Sequence, residues 1–190
     1  MSLARFARHR RRKASILPLT LIVLASAVAH DYDSAAAGTP LAVTPPSVAK
    51  SFLPNLIAPG VSTLVTLTLT NPNDTVATVS APLDDFLPSH MVIGGGAGTT
   101  TCPNGSVSAI AGFGVFELPV GAQVPAHGFC VVAVCVITDQ ANIYTNTILA
   151  GALQTDLGNN AAPASAMLDV SADIIFIDGF EGVPGGCKAG

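Results

Sequence analysis

The sequence is most regular at Val61-Ser-Thr-Leu-Val-Thr-Leu-Thr-Leu-Thr70, where apolar and polar side chains alternate. Alternation with a period of two, carried largely by β-branched residues, is typical of a β-strand with one buried face. The pattern predicts an inward face with Val61, Val65, Leu67 and Leu69, and an outward face with Ser62, Thr66, Thr68 and Thr70. Asn71-Pro-Asn-Asp74 follows and ends the strand in a turn.

Similar strand and turn signals recur on both sides of that stretch, from about residue 45 to residue 170. Ala, Val, Thr, Gly and Pro dominate and Trp is absent, which is the composition of strands and turns rather than of helices. Short strands separated by Pro- and Gly-rich turns predict an all-β sandwich. The further predicted strands cover residues 75–80, 81–88 (an edge strand), 100–102, 106–109, 114–118, 129–138, 143–148 and 164–170.

The strand around residue 133 has two apolar faces. One face carries Cys130, Val132, Val134 and Val136, and the other carries Val131, Ala133, Cys135 and Ile137. A strand that is apolar on both sides needs cover on its outer face. We predict that the apolar tail segment Ile174-Ile-Phe-Ile177 runs alongside the sandwich as an added strand and supplies that cover. A partner subunit is the alternative.

The N-terminal segment has the three parts of a secretory signal peptide. Six basic residues before residue 14 are followed by an apolar run over 14–29 that ends in Ala27-Val28-Ala29. The run contains Pro18 and is shorter than the ~20 residues that a membrane helix needs. We therefore expect export, with cleavage after Ala29, rather than an uncleaved membrane anchor.

Cleavage would leave a strongly acidic chain. All twelve Asp and Glu lie after residue 30, while only Lys50 and Lys188 remain of the eight basic residues, so the formal charge becomes 2 − 12 = −10. Phosphate contacts need Lys and Arg, so this balance argues against nucleic acid and against anionic lipid as partners. No later apolar run is long enough for a second membrane span.

Seven ordered motifs carry a resemblance to a known family. They are Pro46–Gly60, Leu67–Asn73, Ala81–Pro88, Thr101-Cys102, Val124–Cys130, Tyr144–Ile148 and Gly151–Ser165. Over about 46–170 the chain resembles one unit of a bacterial surface repeat family, the conserved repeat module known as domain of unknown function eleven, or a close sister of it. The resemblance implies an immunoglobulin-like β-sandwich on an exported envelope or surface protein, without known catalytic residues. The ending Ile175–Glu181 resembles a short tail common on exported proteins of gammaproteobacteria.

Four cysteines in an exported chain suggest disulfides, and four allow three pairings. Cys130 and Cys135 are an odd number of residues apart on one predicted strand, so they face opposite sides and cannot pair. The family resemblance implies a bridge between Cys102 and Cys130, which stand where the family has its usual pair. Cys135 then pairs with Cys187 or stays free.

The other polar residues give no sign of catalysis, of a cofactor or of a metal. His90 and His127 lie in predicted loops and His30 would be the new N-terminus, while no Gly-x-Ser-x-Gly elbow is present. The cysteine spacing lacks the Cys-x-x-Cys of a zinc site. Asp84 and Asp85 are neighbours on a predicted strand and point to opposite faces, so they are interpreted as surface charge.

The sequence therefore predicts four segments: a signal peptide helix (1–29), a flexible leader (30–44), an immunoglobulin-like sandwich (45–170) and a C-terminal tail (171–190). We expect a non-enzymatic exported module, secreted or at the bacterial cell surface, with a structural or adhesive role and an envelope or extracellular protein as its partner. The alternative is a secreted module that binds a glycan or a protein through its loops. The oligomeric state is left open.

Overall fold

The computed structural model describes residues 42–173 and Cys187. These residues form strands and turns, with no helix among them. Accordingly, this part of the chain contains no helix of the length and apolarity needed to span a membrane. The predicted signal peptide, residues 30–41 of the predicted leader, and the tail segment 174–177 lie outside the described residues.

Fifteen strands make up the described part of the chain. In chain order they are β1 (Ser47–Leu53), β2 (Leu56–Ile57), β3 (Ser62–Asn71), β4 (Ala77–Thr78), β5 (Leu83–Phe86), β6 (Val92–Ile93), β7 (Thr99–Thr100), β8 (Ser108–Ala109), β9 (Val115–Leu118), β10 (Gln123–Val124), β11 (Gly128–Ile137), β12 (Asn142–Ile148), β13 (Gln154–Thr155), β14 (Gly158–Asn159) and β15 (Ala164–Val170).

The strands pack as an immunoglobulin-like β-sandwich, as predicted. A five-stranded sheet has the order β1-β3-β11-β6, with β7 also paired to β11. Two three-stranded sheets, β12-β15-β2 and β5-β9-β8, face it, and their inward side chains join those of the large sheet in one hydrophobic cluster. Two short hairpins, β10-β4 and β13-β14, complete the described strands. Every pairing is antiparallel except that of β2 with β15.

The predicted register of β3 is confirmed. Val65, Leu67 and Leu69 are almost fully buried, and Val61 packs against the same core from just before the strand. The intervening Ser62, Thr66 and Thr68 are half-buried and Thr70 is exposed. A shift of one residue would have exchanged the two faces, so the alternation fixed the pairing with β1 and β11.

β11 is the central strand of the large sheet and has the two faces that the sequence predicts. Its inward side chains, from Cys130 to Val136, are buried in the core. Its outward side chains, from Val131 to Ile137, are half-buried rather than exposed. Part of this outward stripe is therefore already covered, as its apolar character requires.

β1 is the longest of six strands that the sequence analysis did not predict; the other five, β2, β6, β10, β13 and β14, have two residues each. Its inward positions are Val48, Lys50 and Phe52, and its outward positions are mostly Ser and Ala. A lysine at an inward position interrupts the apolar alternation on which strand prediction depends. The resemblance motif Pro46–Gly60 covers this strand, but it gave no register.

Candidate functional site

Cys102 and Cys130 form a disulfide inside the sandwich. Their sulfurs are bonded at 2.05 Å and their Cα atoms are 4.8 Å apart. The geometry follows from strand pairing: Thr100 lies opposite Val132, and the amide of Thr101 donates to the carbonyl of Val131 at 2.9 Å. One position further along this antiparallel pairing, Cys102 lies beside Cys130, so the two side chains meet. Both cysteines are buried.

Cys135 and Cys187 form a second disulfide on the other face of β11, with Cα atoms 5.6 Å apart. The sulfur of Cys187 also lies 3.4 Å from the carbonyl oxygen of Thr63 on β3. Cys135 is therefore not free, and a residue of the tail sits on the outward face of the large sheet. The predicted added strand, Ile174–Ile177, stays a prediction because it lies outside the described residues.

Removing residues 171–190 is expected to lower the melting temperature and to increase the binding of a hydrophobic dye. The outward stripe of β11 would lose the tail, and burying one such side chain is worth about 1.5–3 kcal/mol. A Cys187→Ser variant of the full chain is the control, because it removes the bridge and leaves the apolar tail in place. Unchanged melting and dye binding in a monomeric truncated protein would exclude the tail as cover.

The two histidines within the described residues lie at the surface. His90 and His127 are exposed in loops and both have positive φ angles. His127 pairs with Asp74 at the surface, through contacts between two side chains that are mostly solvent-exposed. His30 lies outside the described residues. Among the residues described, no three His, Cys, Asp or Glu side chains come together as a metal site would require.

Asp84 and Asp85 face opposite sides of β5, as adjacent strand residues do. Asp84 is exposed, in agreement with its interpretation as surface charge. That interpretation is wrong for Asp85, which is fully buried. The sequence analysis missed this residue because its partners come from strands far away along the chain.

Asp85 is the centre of a buried group of three polar side chains, which we call the polar core cluster: Lys50, Asp85 and Asn146. The Nζ of Lys50 on β1 contacts Oδ2 of Asp85, and the side chains of both residues are 0% exposed. On the other side, Nδ2 of Asn146 on β12 donates to Oδ1 of Asp85 at 2.9 Å. The cluster thus links three sheets of the sandwich through one carboxylate.

The surroundings of the polar core cluster are apolar. Across their own sheets, Lys50 lies opposite Leu67, and Asp85 lies opposite Phe116. Both of these neighbours are almost fully buried. Desolvation in this setting lowers the pKa of Lys50 below 10.5, and the contact and hydrogen bond with Asp85 offset only part of that change.

A second candidate lies on the outer face of the β5-β9-β8 sheet. Here Asp84 stands opposite Glu117, and Phe86 stands opposite Val115. Asp84 lines two adjacent cavities, of about 140 Å³ with Phe113 and Glu117, and of about 430 Å³ with Phe86. Phe86 is 70% exposed and Phe113 is 57% exposed. We call this surface, defined by Asp84, Phe86, Phe113, Val115 and Glu117, the acidic–aromatic groove.

Fold and site together define an all-β immunoglobulin-like sandwich with a cross-linked core and an acidic, aromatic outer groove. Residues 46–170 match the domain of unknown function DUF7933, and the chain belongs to that family. The resemblance stated above was right in pointing to an uncharacterised domain over this span. The particular family is DUF7933 rather than domain of unknown function eleven. No curated protein matches the chain.

Three solved structures are similar to parts of this chain. BslA, a bacterial hydrophobin, is 15% identical, with a TM-score of 0.42 over 68% of this chain and 95% of that chain. A non-cellulosomal cohesin from the hyperthermophilic archaeon Archaeoglobus fulgidus is 8% identical, with a TM-score of 0.41 over 69% and 94%. A PapD-like domain of human CEP192 is 12% identical, with a TM-score of 0.32 over 83% and 99%. Likenesses at this level carry no argument about what this protein binds.

Proposed function

We propose that this protein is a non-catalytic module that works outside the cytoplasm, in a structural or adhesive role at the bacterial cell envelope. The observation that carries the proposal is the acidic–aromatic groove, which places two exposed phenylalanines beside two carboxylates at a sheet whose other face packs into the core. Exposed aromatic anchors next to polar groups are characteristic of surfaces that bind a partner.

The two disulfides support a location outside the cytoplasm. Both disulfides join segments of one small sandwich, and disulfides persist mainly in oxidising compartments.

The surface charge supports the choice of partner. Lys50 is the one Lys or Arg within residues 42–173, and its side chain is buried against Asp85, so the described surface offers no lysine or arginine to phosphate. An envelope or extracellular protein is therefore the proposed partner, rather than nucleic acid.

A glycan is the second candidate ligand for the same groove. Phe86 and Phe113 flank Asp84, and the cavity beside Phe113 also contains Ser108 and Glu117. A sugar ring can stack on an aromatic face while its hydroxyl groups donate to carboxylates. This arrangement favours a glycan over a flat apolar partner, whose contact would leave both carboxylates without hydrogen-bond donors.

The test compares binding of purified full-length protein, after export, to envelopes from its source cells and to a panel of soluble glycans. The double variant Phe86→Ala/Phe113→Ala is expected to bind at least about tenfold more weakly, because truncating an anchoring aromatic residue costs about 2 kcal/mol. Phe129→Ala is the matched control, since Phe129 is 65% exposed but lies on β11.

Unchanged binding by the double variant would exclude the groove as the contact surface. Failure of the unaltered protein to bind envelopes or any glycan would overturn the adhesive role itself. Both variants change exposed side chains, so their melting temperatures should stay close to that of the unaltered protein, which shows that any loss of binding is not a loss of folding.

A further inference from the structure

Lys50 occupies a position that lysine almost never takes. Its main chain lies on the outermost strand of the large sheet, where the side chain could reach water, yet the side chain turns inward and is 0% exposed. Replacing such a buried ion pair with apolar residues is often neutral or stabilising, so folding alone does not explain why the pair is present. The three groups of the polar core cluster can react with one another, which the side chains of an apolar core cannot do.

The cluster contains a nucleophile, an electrophile and a proton carrier. A desolvated lysine amine is a nucleophile in its neutral form, and burial lowers the pKa of Lys50 toward that form. The carboxamide carbon of Asn146 is an electrophile. The carboxyl group of Asp85 touches both side chains, one with each oxygen, which is the position that a group moving a proton between them must hold.

We propose that Lys50 and Asn146 become joined by an amide bond between their side chains, with Asp85 transferring the proton. The site lies in the closed core, on strands of three different sheets, so folding itself brings the groups together and holds them there. Such fixed proximity can equal an effective concentration of about 10⁵ M or more. The reaction needs no cofactor and no partner other than the folded chain.

Lys50 passes a proton to Asp85, and the neutral Nζ attacks Cγ of Asn146, whose oxygen is stabilised by the proton of Asp85. Asp85 gives this proton to Nδ2 and then takes the second proton from Nζ, so that it ends in its neutral, protonated form. The bond between Cγ and Nδ2 breaks, ammonia leaves, and a secondary amide remains. No atom is oxidised or reduced.

Asn146 is assigned as the electrophile because Asp85 cannot fill both roles. If Lys50 attacked Asp85, the only group left to carry the proton would be the carboxamide of Asn146, which is a poor acid and a poor base. With Asp85 as the carrier, each of the three residues has one role that suits its chemistry. The resulting bond would connect β1 to β12 and close most of the domain into a covalent ring.

The experiment is mass spectrometry of the purified full chain, exported and folded, then denatured and with its disulfides reduced. The expected mass is lower than the mass of the reduced sequence by one ammonia, once the N-terminus has been determined. Digestion is expected to give a linked pair of peptides, one with Lys50 and the other with Asn146. Lys50→Arg and Asp85→Ala are each expected to show no loss of ammonia.

Lys50→Arg also serves as the control for a second source of ammonia loss. Asn104 precedes Gly105, and closure of a succinimide there would remove one ammonia too, but this loss would persist in Lys50→Arg. Unlinked peptides with an unmodified Lys50 and Asn146 from folded protein would overturn the proposal. A linked pair that joins Lys50 to Asp85, with loss of one water, would also overturn it. Both decisive measurements use the unaltered protein, so neither depends on a variant that folds.

Discussion

Replacing Asp85 with alanine is expected to lower the free energy of unfolding by about 3–5 kcal/mol relative to the protein with Lys50 and Asn146 unlinked, the cost of removing one partner of a buried ion pair. Where the proposed amide bond has formed, its loss adds to this difference. The substitution leaves the amine of Lys50 and the amide of Asn146 in an apolar core without their shared acceptor. Chemical denaturation at neutral pH, followed by an optical probe of the sandwich, measures the loss. A change below about 1 kcal/mol would mean that water reaches the cluster and solvates Lys50.

The loss should become smaller as the pH rises toward 10.5. Burial lowers the pKa of Lys50, and Asp85 offsets part of this, so removing Asp85 lowers that pKa further. The unfolded chain then binds more protons than the folded chain between the lowered value and 10.5, and stability increases with pH in that interval. The quantity to measure is the difference in unfolding free energy between Asp85→Ala and the unaltered protein, because the contributions of groups that titrate equally in both proteins cancel.

The double variant Lys50→Met/Asp85→Leu is the matched control. It removes both charges and keeps apolar side chains of similar size in the core, so it should recover a large part of the stability that Asp85→Ala loses. If the double variant is as unstable as the single one, an unpaired buried charge is not the cause of the loss.

The second large effect is expected from removing the inner disulfide. Cys102 and Cys130 are separated by 28 positions, and the chain-entropy treatment of a loop of that size gives about 3–4 kcal/mol of stability. The double variant Cys102→Ala/Cys130→Ala should therefore lose about that amount of unfolding free energy in oxidising buffer. Denaturation measured in parallel on the unaltered protein provides the reference.

Reduction distinguishes the contribution of the disulfide bond to stability from the contribution of the packing of its two side chains. Both cysteines are buried, so the alanines also leave small gaps in the core. In a Cys135→Ser/Cys187→Ser background, adding a reductant breaks only this bridge and creates no such gaps, and stability should then approach that of Cys102→Ala/Cys130→Ala in the same background. A variant as stable as the oxidised protein would show that the bridge contributes nothing to this fold.

Much of the sandwich could be predicted because β3 and β11 carry the alternation of half-buried strands. Each of them supplies a full row of the core, and the predicted inward residues are the buried ones. The short strands were less predictable. β4 spans only Ala77–Thr78, and β7 spans only Thr99–Thr100, because their lengths depend on pairing partners that lie elsewhere in the chain.

The candidate sites were predictable to different degrees. The pairing of Cys102 with Cys130 came from family resemblance, and the exclusion of Cys130 with Cys135 came from strand geometry alone. The acidic–aromatic groove had no signal in the sequence, since Phe113 precedes its strand and Phe86 lies on another one. Only antiparallel pairing of β5 with β9 brings these residues to one face.

The sequence alone dictates which side of each long strand faces the core, since a period of two leaves no other way to bury the apolar side chains. It also determined that the chain is acidic apart from its first residues. The burial of Asp85, by contrast, follows from the fold and not from the local sequence. Its neighbour Asp84 has the same side chain and is exposed, and the difference arises because Lys50 and Asn146 reach Asp85 from strands that are distant in sequence. A buried charge depends on such partners, and local sequence does not encode them.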